Sequence, residues 1–218
     1  MFYNFLRASF RVITHLVCRY RVLGLEHVPE SGSLLIVTNH LSWYDPILLG
    51  VVLRRRVWIF TKAELFGWPL IGGAIKLTGQ IAVRRGESDR VALEKALVYL
   101  QEGKALMIFP EGTVEKACKL MPARKGAAML AMRSGVMVLP IAHRGTRRVL
   151  RSLRDWFPRV TIEIGEPYMP AIAEDVPRKV GLQQVMDDMM FRIASMLPPE
   201  NRGSYAEALQ EDEAIGSI

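Results

Sequence analysis

The sequence predicts a single α/β domain with a largely parallel central sheet and helices on its faces. Two observations predict it. Short apolar or alternating runs at 19–26, 34–38, 57–61, 79–85, 105–109, 136–142 and 159–165 read as strands, and helix-patterned stretches separate most of them. Strands that alternate with helices favour parallel pairing, because each crossover returns the chain to the same edge. The chain has 218 residues, half of them hydrophobic, which suits one domain with a full core. No internal repeat marks a second domain.

Residues 1–18 predict an amphipathic membrane-associating helix. Asn4, Arg7, Arg11 and Thr14 recur at helical spacing, and Phe2, Leu6, Phe10, Ile13 and Val17 follow another face. A helix with a cationic side and an apolar side can lie in a membrane interface. The alternative is an ordinary packing helix. The segment is too short and too charged to span a bilayer, which takes ~20 apolar residues. It also lacks the uninterrupted apolar core and small-residue cleavage site of a signal peptide.

Residues 19–197 carry the main domain. Arg19–Glu26 alternates as a first strand, and 27–32 is a turn. Leu34–Thr38 is a buried strand, and Asp45-Pro46 opens a helix, since Asp caps free N–H groups and Pro tolerates the first helical position. Arg54, Arg55 and Arg56 read as a solvated helix end. Phe66, Trp68, Leu70 and Ile71, after the strand at 57–61, fit lipid contact and core packing equally well. Gly79–Arg85 is a short strand. Ser88–Glu102 is an amphipathic helix, with Ser88 as cap and Gly103 as terminator. The strand from Ala105 ends in Pro110-Glu111-Gly112-Thr113, and a loop with Lys116, Lys119, Arg124 and Lys125 follows. A helix at 126–134 stops at Gly135, and the next strand holds Leu139-Pro140-Ile141. Arg144, Arg147, Arg148, Arg151 and Arg154 form a second basic cluster. Arg178–Leu197 is a Met-rich helix whose methionines read as core. Residues 198–218 are polar and acidic and read as a flexible tail.

The formal net charge of +7 points to anionic partners, such as lipid headgroups or an acidic carrier protein. No nucleic-acid motif accompanies the basic clusters and aromatic residues are few, so no nucleic-acid partner is expected. Cys18 and Cys118 make no metal-ligand spacing and no disulfide framework. The four histidines are scattered, so no metal site is expected.

The chemistry centres on His40 and Asp45. On a regular helix, five residues would set two side chains roughly 140° apart. The two meet only if His40 precedes the helix and Asp45 stands at its cap. One carboxylate oxygen then caps the helix and the other accepts Nδ1–H, which leaves Nε2 as an outward base in one tautomer. The plainer reading is a surface His beside an ordinary cap. There is no Gly-x-Ser-x-Gly elbow. Ser42 reads as a turn hydrogen-bonder, and no reactive-site signature surrounds Cys118.

Four segments occur in order: His40-x4-Asp45 after a strand, Gly79-x-Ile81-x-Val83-Arg84-Arg85, Phe109-Pro110-Glu111-Gly112-Thr113, and Leu139-Pro140-Ile141. Over roughly residues 20–168 the chain resembles the glycerolipid acyltransferase family and is most similar to its bacterial 1-acyl-sn-glycerol-3-phosphate acyltransferases. The resemblance implies that a fatty acyl group moves from a thioester, acyl-CoA or acyl carrier protein, to the sn-2 hydroxyl of a lysophospholipid. The product would be phosphatidic acid. No cofactor is implied. His40 would be the general base and Asp45 its orienting partner, acting in a ternary complex without a covalent enzyme intermediate. Lys62, Arg84, Glu111, Gly112 and Thr113 would bind the glycerol phosphate, with Arg84 preferred over Arg85 for the phosphate. The expected location is the cytoplasmic face of the cell membrane, peripheral or monotopic.

One departure bears on the acceptor. The family has Arg after the Glu-Gly-Thr turn, where this chain has Val114, so Lys116 or Arg124 must supply the missing charge or the headgroup differs. The alternatives are another lysolipid, a lyso-aminolipid, glycerol 3-phosphate, or a lipid-binding protein that keeps the fold without the activity.

Overall fold

The computed structural model describes residues 2–69, 71–84, 89–115, 117–149 and 157–215, with side chains to residue 210. In chain order the elements are α1 (Phe2–Val17), β1 (Arg19–Leu23), β2 (Leu34–Thr38), α2 (Asp45–Val52), β3 (Val57–Lys62), α3 (Ile71–Thr78), β4 (Ile81–Val83), α4 (Arg90–Gln101), β5 (Ala105–Ile108), α5 (Gly126–Ser134), β6 (Val138–Arg144), α6 (Thr146–Val149), β7 (Arg159–Ile164), α7 (Arg178–Ser195) and α8 (Ala206–Ile215).

The strands form one sheet in the order β1-β7-β6-β2-β5-β3-β4. Every neighbouring pair is parallel except β6 with β7. Five strands therefore point one way, and the edge pair β1 and β7 points the other. β2 lies between β5 and β6, with Ile36 opposite Met107 on one side and Leu139 on the other. Its five residues are all buried, as expected for a strand covered on both faces. Leu35 and Val37 pack with Leu106 and Ile81 under α4, α5 and α7. Leu34 and Ile36 pack with Met107 and Leu139 under α2. The one-residue alternation of β2 thus feeds two cores.

This order fixes where a site can form. The chain leaves β2, builds β3, β4 and β5 on one side, then crosses to β6 on the other. In open α/β sheets, ligands bind beyond the carboxyl ends of strands where the winding reverses. His40 follows β2, Lys62 ends β3, Arg84 follows β4 and Glu111 follows β5. All four therefore sit along that edge.

Several local expectations need correction. α1 does not turn its whole polar stripe outward. Thr14 is fully buried; its hydroxyl bonds the Phe10 carbonyl and the Tyr44 hydroxyl. Arg7 reaches the Val51 carbonyl. The solvent face carries Phe2, Phe5, Val12, Ile13 and Leu16 beside the exposed Asn4 and Arg11. Asp89, not Ser88, caps α4, through a carboxylate that accepts from Ala92 N; Ser88 lies outside the described residues. Arg55 is no simple solvated helix end, because its guanidinium donates to the carbonyls of Pro29, Ser31 and Gly32. Nor is 198–218 a loose tail as far as it is described. α8 packs on α7, and Tyr205 and Leu209 join the core. The Arg202 side chain donates to the Leu197 carbonyl. The tail's polar composition hid two buried anchors. Leu70, Arg85, Lys116, Arg151 and Arg154 lie outside the described residues.

Candidate active site

The site starts with a turn that cannot continue β2. After Thr38 the chain bends through Asn39–Tyr44 and enters α2 with Pro46 in its first turn. Asp45 organises this bend, though not by capping its own helix. Its Oδ2 accepts from His40 Nδ1 at 3.0 Å, Leu41 N at 2.7 Å and Ser42 N at 2.7 Å. One oxygen therefore holds both the imidazole and the backbone leading away from it, and no side-chain bond caps α2. A carboxylate only accepts, so His40 carries its proton on Nδ1 and presents a bare Nε2. The ring stacks on Phe109, with 4.1 Å between centroids. Ser42 Oγ accepts from Tyr44 N, the turn role expected of it.

Asp45 has no exposed surface. Burial alone would push its carboxyl up. His143, the hydrogen bond from His40 and the Thr146 hydroxyl outweigh burial and hold it below the usual carboxylate range. The carboxylate thus stays ionised beside His40.

Glu111 sits differently from the expectation. It is buried and makes no part of the cavity wall described below. Oε1 accepts from His40 N at 2.8 Å and Oε2 from Met121 N at 3.2 Å. Glu111 therefore ties the His40 turn to the loop after β5. Burial pushes its carboxyl up to about 7, against the pull of those two N–H groups and with a further push from Glu115 and Asp45. The folded state thus keeps a proton that the unfolded chain releases near 4.5. The stability from this group is full below that value and is lost as pH rises through about 7. The loss amounts to at most about 3 kcal/mol. Melts from about pH 5 to about pH 8 should show a decline in wild type that Glu111→Gln lacks; equal declines would contradict the assignment.

A cavity of about 1120 Å³ opens beside His40. Its walls are mostly apolar: Leu6 and Phe10 of α1, Ile71 and Ile75 of α3, Phe60 of β3 and Met129 of α5. Lys62, Arg84, Arg124 and Lys125 also line it. The Lys62 ammonium lies 5.5 Å from the Trp43 ring centroid. Gly112 has φ 73°, and a Cβ there would meet Arg124 Nε at 3.0 Å. The turn needs glycine both for its backbone and to let this guanidinium lie across it. Thr113 is exposed and off the cavity wall. So the structure gathers His40, Lys62, Arg84 and Gly112 on one cavity, with Asp45 and Glu111 behind it, and leaves Thr113 apart. Sequence reasoning gave Arg124 only a substitute's role and missed Asn39 and His143. Nothing in the spacing links residues 39 and 143; only the pairing of β2 with β6 does.

The Acyltransferase family model matches residues 19–144, more than half of the chain. The chain belongs to the acyltransferase family. The acyltransferase is 30% identical over 198 residues to a 1-acyl-sn-glycerol-3-phosphate acyltransferase of Chlamydomonas reinhardtii, covering 88% of this chain and 57% of that relative. It thus spans little more than half of that protein. It is 27% identical over 197 residues to the Bacillus subtilis 1-acyl-sn-glycerol-3-phosphate acyltransferase, covering 89% and 96% of the two chains. A lyso-ornithine lipid O-acyltransferase of Pseudomonas aeruginosa is 36% identical over 110 residues, or 50% of this chain and 42% of that one. The crystal structure of the 1-acyl-sn-glycerophosphate (LPA) acyltransferase from Thermotoga maritima superposes with a TM-score of 0.64 at 27% identity. That match covers 86% of this chain and 76% of the Thermotoga chain.

Proposed function

We propose that this acyltransferase moves a fatty acyl group from a thioester, acyl-CoA or acyl carrier protein, to the sn-2 hydroxyl of 1-acyl-glycerol-3-phosphate, giving phosphatidic acid. The observation that carries the reading is the His40–Asp45 pair beside an apolar cavity whose wall also bears lysines and arginines, Lys62, Arg84, Arg124 and Lys125 among them. An alcohol is a weak nucleophile at neutral pH and needs a base within hydrogen-bond reach. His40 Nε2 takes the hydroxyl proton as the oxygen attacks the thioester carbonyl. Asp45 balances the imidazolium. The tetrahedral intermediate then expels the thiolate, which takes the proton back from Nε2. The C–O ester bond forms, the C–S bond breaks, and the histidine ends as it began. The apolar walls suit acyl chains, and Lys62, Arg84, Arg124 and Lys125 suit the phosphate.

A second acceptor has its own support. Val114 stands where the family has Arg, and one relative is named for a lyso-ornithine lipid. An acceptor panel separates the two readings. Lysophosphatidate should be the best acceptor, and Arg124→Gln should raise its KM by about tenfold with little change in kcat. Turnover confined to a lyso-aminolipid would move the assignment to that acceptor.

The proposed location is a membrane surface, at the cytoplasmic face. Phe5 and Leu16 of α1 are each 68% exposed, and Trp43, Trp68, Ile71 and Leu77 add exposed apolar surface. Among the described residues, no helix is long and apolar enough to cross a membrane. Interfacial burial of these side chains would seat the protein on lipid. Phe5→Glu combined with Leu16→Glu should therefore lose most binding to anionic vesicles in flotation. Undiminished binding would contradict this seating.

A further inference from the structure

His40 sits between two peptide groups, and each is held at both ends. In the peptide that follows it, the His40 carbonyl accepts from Glu115 N at 2.8 Å, and Leu41 N donates to Asp45. In the peptide that precedes it, His40 N donates to Glu111. The carbonyl of that preceding peptide belongs to Asn39, and it accepts from His143 Nε2 at 2.7 Å. His143 is fully buried, comes from β6, and lies 104 residues along the chain.

Asn39 returns the contact. Its side-chain oxygen accepts from His143 N at 2.9 Å and its amide donates to the His143 carbonyl at 2.9 Å. The backbone pairing of β2 with β6 stops at Thr38 opposite Ile141. These three bonds extend the grip one residue further, to the point where the chain must turn. A carbonyl only accepts, so His143 carries its proton on Nε2. Nδ1 is buried with no hydrogen-bond partner among the described residues. Nε2 also lies 3.7 Å from Asp45 Oδ2, on the carboxylate that holds His40.

We propose that His143 is a positioning residue for acyl transfer. It fixes the Asn39–His40 peptide from the β6 side while Glu111 fixes it from the β5 side. This rests on His40 being the base. The clamp sets the direction of His40 Nε2 without touching substrate, since His143 forms no part of the cavity wall. A small misplacement of a catalytic group is enough to cost about a hundredfold in rate.

Two near-isosteres test it. Glutamine can place an amide nitrogen where Nε2 lies; asparagine reaches only the Nδ1 position. His143→Asn should lower kcat by about tenfold to a hundredfold with acceptor KM within about twofold, and His143→Gln should recover most of the rate. Ring-nitrogen NMR gives a readout that needs no activity. The His40 resonances should move in His143→Asn and stay near wild type in His143→Gln. Unchanged His40 resonances in both variants would overturn the proposal even if wild type transferred no acyl group, an outcome that would separately defeat the proposed function. Equal kcat in all three proteins, with only the melting temperature lowered, would assign His143 to stability alone and overturn it too. A raised KM at constant kcat would make it a binding residue, with the same consequence.

Discussion

His40→Ala is expected to lower kcat for acyl transfer by about 10²–10⁴-fold, the usual worth of a positioned general base. The donor and acceptor should still bind. The cavity walls and their lysines and arginines stay in place, because His40 contributes one ring to a wall shared with many apolar residues. The variant should fold, since the bonds that shape the turn are made by backbone: His40 N to Glu111, the His40 carbonyl to Glu115 N, and the next two amides to Asp45. The lost stacking on Phe109 is worth about 1 kcal/mol. Steady-state kinetics beside a thermal melt checks both halves. Full activity in a folded His40→Ala protein would remove the proposed base.

Asp45 should give two different results with two substitutions, because one oxygen has two jobs. Asp45→Ala removes the acceptor for Leu41 N and Ser42 N as well as for His40. Both are residues of the buried turn, and an unsatisfied buried N–H costs about 1–3 kcal/mol. The expected loss of about 2–6 kcal/mol is a large part of a domain's total stability. Asp45→Asn keeps an oxygen for those amides and removes only the charge. It should fold nearly as wild type and lose kcat by up to about 10⁴-fold, the loss seen when the carboxylate of a catalytic triad becomes an amide. Denaturant melts and kcat for the pair separate the roles. Equal destabilisation by both would mean that charge, not hydrogen bonding, shapes the turn.

The fold class was legible because the strand period and the helix period rarely compete in this chain. β2 reads as a buried strand from five consecutive apolar or β-branched residues, and it is one. Gly135 stops α5 in a left-handed conformation, as a terminal glycine should. The His40–Asp45 contact was legible because Pro46 fixes where α2 begins. Its detail was not: whether a carboxylate caps forward or bonds back depends on which amides the turn leaves free. Glu111 shows the same limit. Its position beside the site follows from β5 lying next to β2, but that its carboxylate grips backbone amides instead of facing ligand is a matter of side-chain direction. The grip of His143 on Asn39 rests wholly on sheet order, and the helices after residue 198 rest on Tyr205 and Leu209, two apolar residues in a polar stretch.

The most direct test offers labelled acyl-CoA and labelled acyl carrier protein, in turn, to the wild-type protein in vesicles with lysophosphatidate, and follows the label. Labelled phosphatidate from at least one donor, absent with His40→Ala, is the expected result. A folded wild-type protein that forms no labelled lipid from either donor, with lysophosphatidate or any other lysolipid, would contradict the assignment and leave a lipid-binding protein in its place.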